Sequence, residues 1–253
     1  MSFIDDAFNA AKSVGSFLTG TSIGSSLART AITGLALSQM AKSMNKKNTP
    51  TQDDNGTVVT VEPNVENAIP VIYGTAIVGG IVVDAHISAD NKKMYYVYVV
   101  SERTGTLLSN SAQSVLSFQE VYYNNNKVVF SDDGYTARYL QAEDGFVDNN
   151  IADQVKIYCF NNGSQNPVTP TGYTNAALLP AYSIVPTWTS NHTMDNLVFA
   201  VIEVTYNPSK SVTGIGDVQF KINNTLSKPG DVLYDYMTNT RYGAGIPEAE
   251  ISV

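Results

Sequence analysis

A chain of 253 residues is long enough to bury one large β core or two smaller ones, since single cores stop growing near roughly 250–300 residues. Charged residues make up only 15% of it, against roughly 25% in ordinary soluble domains, while 15 tyrosines accompany a single tryptophan. The formal net charge of -8 argues against a dedicated nucleic-acid surface, which needs clustered Lys and Arg, and one cysteine rules out an internal disulfide and a cysteine-built zinc site.

Residues 3–18 place Phe3, Ile4, Ala7, Ala11, Val14 and Leu18 on one helical stripe, with Asp5 and Asp6 in the first turn. After a Gly/Ser/Thr break, Leu27, Ala31, Leu35, Met40 and Met44 form a second run, so residues 1–46 are predicted as an amphipathic helical arm. Arg29 and the polar residues around it interrupt the apolar stretches well short of a bilayer span, and the start lacks a basic signal region. Such an arm covers the β domain or makes assembly contacts. Residues 47–56 are polar and turn-rich, and read as a linker.

From there to residue 228 strand signals dominate. Val58–Glu62, Ile69–Tyr73 and Ile81–Ile87 are β-branched runs punctuated by Pro63, Pro70 and the Gly79-Gly80 pair. In Met94–Val100 both alternating faces are apolar or aromatic, which predicts a central strand covered on both sides. Glu120–Phe130 reads as a hairpin turning on Asn124, Asn125 and Asn126, because Asn tolerates left-handed dihedrals. Val155, Ile157 and Cys159 share one strand face, making the cysteine a buried apolar residue rather than a nucleophile. Residues 161–174 read as a long loop, and Leu197–Tyr206 as a strand whose face of Val198, Ala200, Ile202 and Val204 is wholly apolar.

The final element is the most informative. Pro229 suits the first turn of a helix and Asp231 its positive end. Val232, Leu233, Tyr236 and Met237 then fall on one face, predicting a short docking helix that Asn239, Gly243 and Gly245 stop, with Gly243 in a left-handed cap. The expected fold is therefore mainly β, with a helical arm before the sheets and a helix-turn segment over residues 229–253.

No enzyme constellation is present in the sequence. His86 and His192 belong to no metal-binding spacing, and Gly214-Ile215-Gly216 precedes a strand rather than joining strand to helix. The carboxylate pairs Asp53-Asp54, Asp132-Asp133 and Glu143-Asp144 sit beside Gly or Asn in turn contexts. No catalytic, cofactor or metal residue is assigned.

Three blocks resemble the tail-tip hub proteins of long-tailed bacteriophages, the lambda J-type host-specificity family: Glu66–Gly74 with Val78-Gly79-Gly80, Leu197–Tyr206 with Val218–Phe220, and Leu233–Ile246. They occur in the family's order and span roughly residues 62–247; the middle, about 102–190, carries no matching motif. The resemblance implies a virion protein, made in the host cytoplasm, that forms a trimeric ring closing the tail tube and opening for DNA ejection. Its implied partners are other copies of itself, the distal tail protein, the tape-measure protein and further tip or tail-fibre proteins. Residues matched to the blocks and expected to contribute are Ile69, Pro70, Tyr73 and Gly74 at the opening, with Tyr234, Arg241, Tyr242 and Gly243 at the close. Family members usually run far past the last block, whereas this sequence stops at Val253. A carbohydrate-binding or adhesin module is the alternative that a Tyr- and Asn-rich β protein leaves open, and a wall-degrading enzyme ranks below both.

Overall fold

The computed structural model describes residues 68–105, 114–175 and 177–251. The expected arm (1–46), linker (47–56) and strand at 58–62 lie outside these described residues. Within them the fold is mostly β, with one α-helix.

The strands are β1 (Thr75–Val78), β2 (Ile81–Ile87), β3 (Lys93–Glu102), β4 (Leu116–Tyr123), β5 (Asn126–Phe130), β6 (Ala137–Gln141), β7 (Val147–Asp148), β8 (Val155–Phe160), β9 (Pro167–Val168), β10 (Leu197–Thr205) and β11 (Val218–Asn224). The helix, α1, spans Pro229–Thr238. The pairings between strands are antiparallel and build two sheets, ordered β1-β11-β4-β5-β6-β7 and β2-β3-β10-β8-β9. The chain crosses from one to the other within two residues, Gly79 and Gly80. Gly80 sits at φ +69, and a Cβ there would come within 3.1 Å of the Val99 carbonyl oxygen, so only glycine turns this corner without strain.

The six-stranded sheet has one dry face. In β11, Val218, Phe220, Ile222 and Asn224 are buried and alternate with half-buried Gln219, Lys221 and Asn223, the period-two pattern of a strand with one wet side. Its dry face meets the other sheet where Tyr98 of β3 lies 6.2 Å, ring to ring, from Phe220.

The five-stranded sheet differs, because β3 and β10 are buried on both sides over most of their length. They pair from Leu197↔Glu102 to Thr205↔Lys93. Val97, Val99, Phe199, Val201 and Phe160 point away from the six-stranded sheet and are covered by Ala181, Val185 and Trp188 from the long excursion between β9 and β10. This is why β3 carries apolar residues at consecutive positions, as its sequence predicts. The glutamate of β10 is buried as well: Glu203 pairs with Lys93 at 2.8 Å. Beside β8, the N–H of Ile157 donates to the Tyr135 carbonyl and that of Asp153 to the Ala137 carbonyl, fastening one sheet to the other.

The β4–β5 hairpin forms as expected, with Asn124 and Asn125 at φ 51 and 62, the double left-handed geometry of a two-residue hairpin turn. Two expectations fail. Ile69–Tyr73 is not a strand but a lead-in with a single parallel bridge, Val71↔Glu102. Pro70 lacks the N–H a ladder would need, and the N–H of Ile72 goes to the Ser101 hydroxyl instead. In α1 the expected docking face is split: Leu233 and Tyr236 are 59% and 53% exposed, Val232 and Met237 are half-buried, and the buried side chains are Asp231 and Asp235.

Candidate functional site

The inward turn of the acidic residues of α1 has a local cause. Pro229 starts the helix from an extended Lys228, and Asp235, one turn after Asp231, lies under the helix against the end of β3. Asp235 is only 4% exposed, and a buried carboxylate requires donors. It has three: Tyr73 and Tyr242 each donate a hydroxyl to Oδ2, at 2.8 and 2.7 Å, and the Gly105 N–H donates to Oδ1 at 3.0 Å. A side chain at position 105 would collide with that carboxylate. Both tyrosine hydroxyls are held well above the ordinary phenol range, first by burial and then by the hydrogen bond to Asp235, which a phenolate could not donate.

Around this node the first and last sequence blocks interlock. The Glu102 N–H donates to the Pro70 carbonyl at 2.8 Å, and Arg241 Nε lies 2.7 Å from the buried Glu102 Oε2. That approach lacks the alignment of a hydrogen bond, since the same oxygen has no hydrogen-bond partner, so the pairing is charge attraction. Gly74 sits at φ +66, exchanging backbone hydrogen bonds with Leu226 and Asn224. The buried Asn224 amide then donates to the Ile72 carbonyl at 2.6 Å and to Thr104 Oγ1 at 2.8 Å. Pro70, Tyr73, Gly74, Arg241, Tyr242 and Gly243 thus gather round one end of the sandwich. Ile69 packs instead against the Trp188 cluster, and the Tyr234 hydroxyl bonds to Glu248 on the surface.

Gly243 is not the left-handed cap. Gly245 holds the positive φ, +65, whereas Gly243 is required because a Cβ there would run into the Tyr236 carbonyl oxygen. Arg241 pairs with Glu102. Sequence reasoning missed Asp235, Glu102, Gly105 and Asn224, the groups that collect the others. Acidic residues are ordinarily solvated, so nothing in their spacing marked these two for burial.

A second polar cluster joins β2 to the excursion. Asp84 Oδ2 accepts from Trp188 Nε1 at 2.8 Å and lies 2.8 Å from His86 Nε2. Burial opposes ionisation of Asp84, but the His86 and Trp188 hydrogen bonds outweigh it and hold the carboxyl below its usual range. Thr187 Oγ1 completes an apparent Asp–His–Thr series, yet it lies 2.9 Å from Nε2 and 3.1 Å from Nδ1. A proton relay needs the carboxylate and the hydroxyl on opposite ring nitrogens. Here the hydroxyl straddles both ring nitrogens and lies nearer Nε2, the one the carboxylate also approaches, so the cluster ties β2 to the excursion, with Trp188 stacked on His192 at 5.3 Å.

Cys159 is fully buried, and burial pushes its thiol far up. Among the described residues no three His, Cys, Asp or Glu side chains converge as a metal ion would require, and no helix is long and apolar enough to cross a membrane. No protein-family model matches the chain, and no curated protein matches it.

Proposed function

We propose that this protein is a structural component of a bacteriophage tail tip, a hub whose copies form a ring that closes the tail tube and takes part in assembly and DNA ejection. The observation that carries the reading is the meeting at Asp235 of two hub-like blocks about 160 residues apart in sequence: Tyr73 from the opening and Tyr242 from the close share one carboxylate. Two further features support a role in assembly. α1 turns Leu233 and Tyr236 outward, an arrangement suited to a surface that other subunits cover. The sandwich also presents edge strands on both flanks, β1 and β2 on one and β7 and β9 on the other, which neighbouring copies can cap. The distal tail and tape-measure proteins are the expected neighbours along the tube, with tail-fibre or further tip proteins beyond.

Native mass determination tests this directly. A stable homotrimer, with annular particles in electron micrographs, is the expected result; a chain that stays monomeric at high concentration with no ring in tail-end images rejects the proposal.

A further inference from the structure

The outer face of the six-stranded sheet carries an uncharged polar row. Thr75 of β1, Asn223 of β11 and Ser117 of β4 are partners across neighbouring strands, the Thr75 hydroxyl donates to Asn223 Oδ1 at 2.8 Å, and the Gln119 amide donates to Ser117 Oγ at 2.8 Å. Polar side chains on a wet sheet face ordinarily call for no explanation. This row leads into a recess.

Beside Gln119, β4 and β5 pair only at Tyr122↔Lys127 and Tyr123↔Asn126 and then part. The gap is bridged by the segment at 169–173, whose Thr171 N–H donates to the Phe118 carbonyl at 2.8 Å and whose Tyr173 hydroxyl accepts the Phe130 N–H at 3.1 Å. What remains is a groove of about 270 Å³. Its apolar members Val128, Phe130 and Pro170 are buried, so a ligand meets Gln119, Glu120, Lys127, Thr171 and the half-buried Tyr173.

That surface sorts ligands by class. An aliphatic ligand finds no exposed apolar wall. A charged one finds no surplus: Glu120 takes hydrogen bonds from Lys127 at 2.5 Å, Tyr122 at 2.7 Å and Lys221 at 3.0 Å, which hold its carboxyl down to about 2, and Glu143, close enough to act on the Tyr122 phenol, offsets the second lysine. Donors and acceptors in fixed positions remain, together with the Tyr173 ring, which meets Phe130 edge to face at 5.5 Å and whose carbonyl accepts the Thr169 hydroxyl at 2.7 Å. Groups ordered beforehand lose little freedom on binding. A pyranose matches both features, because its hydroxyls donate and accept while its C–H face packs on an aromatic ring. The groove's volume, just under the roughly 300–1,000 Å³ of drug-sized sites, suits one such ring.

We propose that the groove and the row of Gln119, Ser117, Asn223 and Thr75 form a binding site for an uncharged oligosaccharide, with one sugar ring in the groove and the next along the row. The proposal goes beyond the hub reading and does not rest on it. Its test titrates the nitrogen-15-labelled full chain with maltotetraose, cellotetraose, chitotetraose and, as an acidic comparison, sialyllactose, following the amide shifts. At least one neutral probe is expected to move the amides of residues 117–120 and 169–173 at concentrations below about 20 mM, as a weak site dominated by a single ring requires. Gln119→Ala, which removes no buried side chain, should weaken that binding about tenfold, the equivalent of one hydrogen bond. Silence from every neutral probe, shifts confined to another surface, tighter binding of sialyllactose, or binding that Gln119→Ala leaves unchanged overturns the site. None of these results bears on the oligomeric state, so the hub reading stands or falls separately.

Discussion

Asp235 concentrates the tie between the two ends of the described chain into one carboxylate. Asp235→Ala leaves two phenols and an amide N–H without their acceptor, and hydrogen bonds to charged groups contribute about 1.5–3 kcal/mol each when made singly. A loss of about 3 kcal/mol is expected, read as a lower urea midpoint with an unchanged slope. Tyr73→Phe and Tyr242→Phe, which each remove one donor and leave the carboxylate with two, should cost about 1–2 kcal/mol apiece, and the pair together more than their sum because the buried carboxylate is then left with one donor. A double variant as stable as the parent would remove the node from the account. Tyr73 and Tyr242 stand in the two sequence blocks that carry the resemblance; their meeting was not legible there. The order of residues along a chain says nothing of which acid will lie beneath two distant tyrosines, and here that acid occupies a helix face that periodicity assigns to solvent.

At the scale of elements, apolar pattern alone shows that β3 is covered twice, but not by what. The cover is the excursion between β9 and β10, residues 169–196, of which the loop expected at 161–174 takes in only the beginning. Its grip on the sheet depends on Trp188, which packs on Phe199 and donates to Asp84. Trp188→Ala should therefore cost about 3–5 kcal/mol, the range of a large aromatic removed from a core, and Trp188→Phe about 1–2 kcal/mol for the lost hydrogen bond and reduced fill. Amide hydrogen exchange locates the effect: faster exchange confined to residues 179–196 supports a cover that lifts independently, whereas uniform loss across β3 and β10 means that it is integral to the core. α1 gives the complementary lesson. Its helix boundaries follow from Pro229 and Asn239, yet which side faces inward was decided by tertiary partners, the hydroxyls of Tyr73 and Tyr242 and the Gly105 N–H, and not by the apolar stripe.

For the whole molecule, the abundance of tyrosine becomes a statement about alkaline stability. Tyr96 and Tyr98 lie deep between the sheets, and burial raises both phenols well above the ordinary value near 10. Tyr158 is raised by burial and by the nearby Glu203 carboxylate, and Tyr73 and Tyr242 by burial and Asp235. In each case the native state holds its proton at a pH where the unfolded chain has released it. The native state therefore binds more protons above pH 10, and stability falls as pH rises. Below about pH 10 the contribution is complete; above it, Tyr96 and Tyr98 each withdraw up to about 1.4 kcal/mol per pH unit, and the three nearer to solvent withdraw less. The excess negative charge grows over the same interval and adds self-repulsion. The expected record is one cooperative event: phenolate absorbance from these residues rises together with loss of the β circular dichroism signal, at a pH clearly above 10. Phenols that all titrate near pH 10 while the sheets persist would mean that water reaches the space between the sheets, and would count against the close packing of Tyr98 on Phe220.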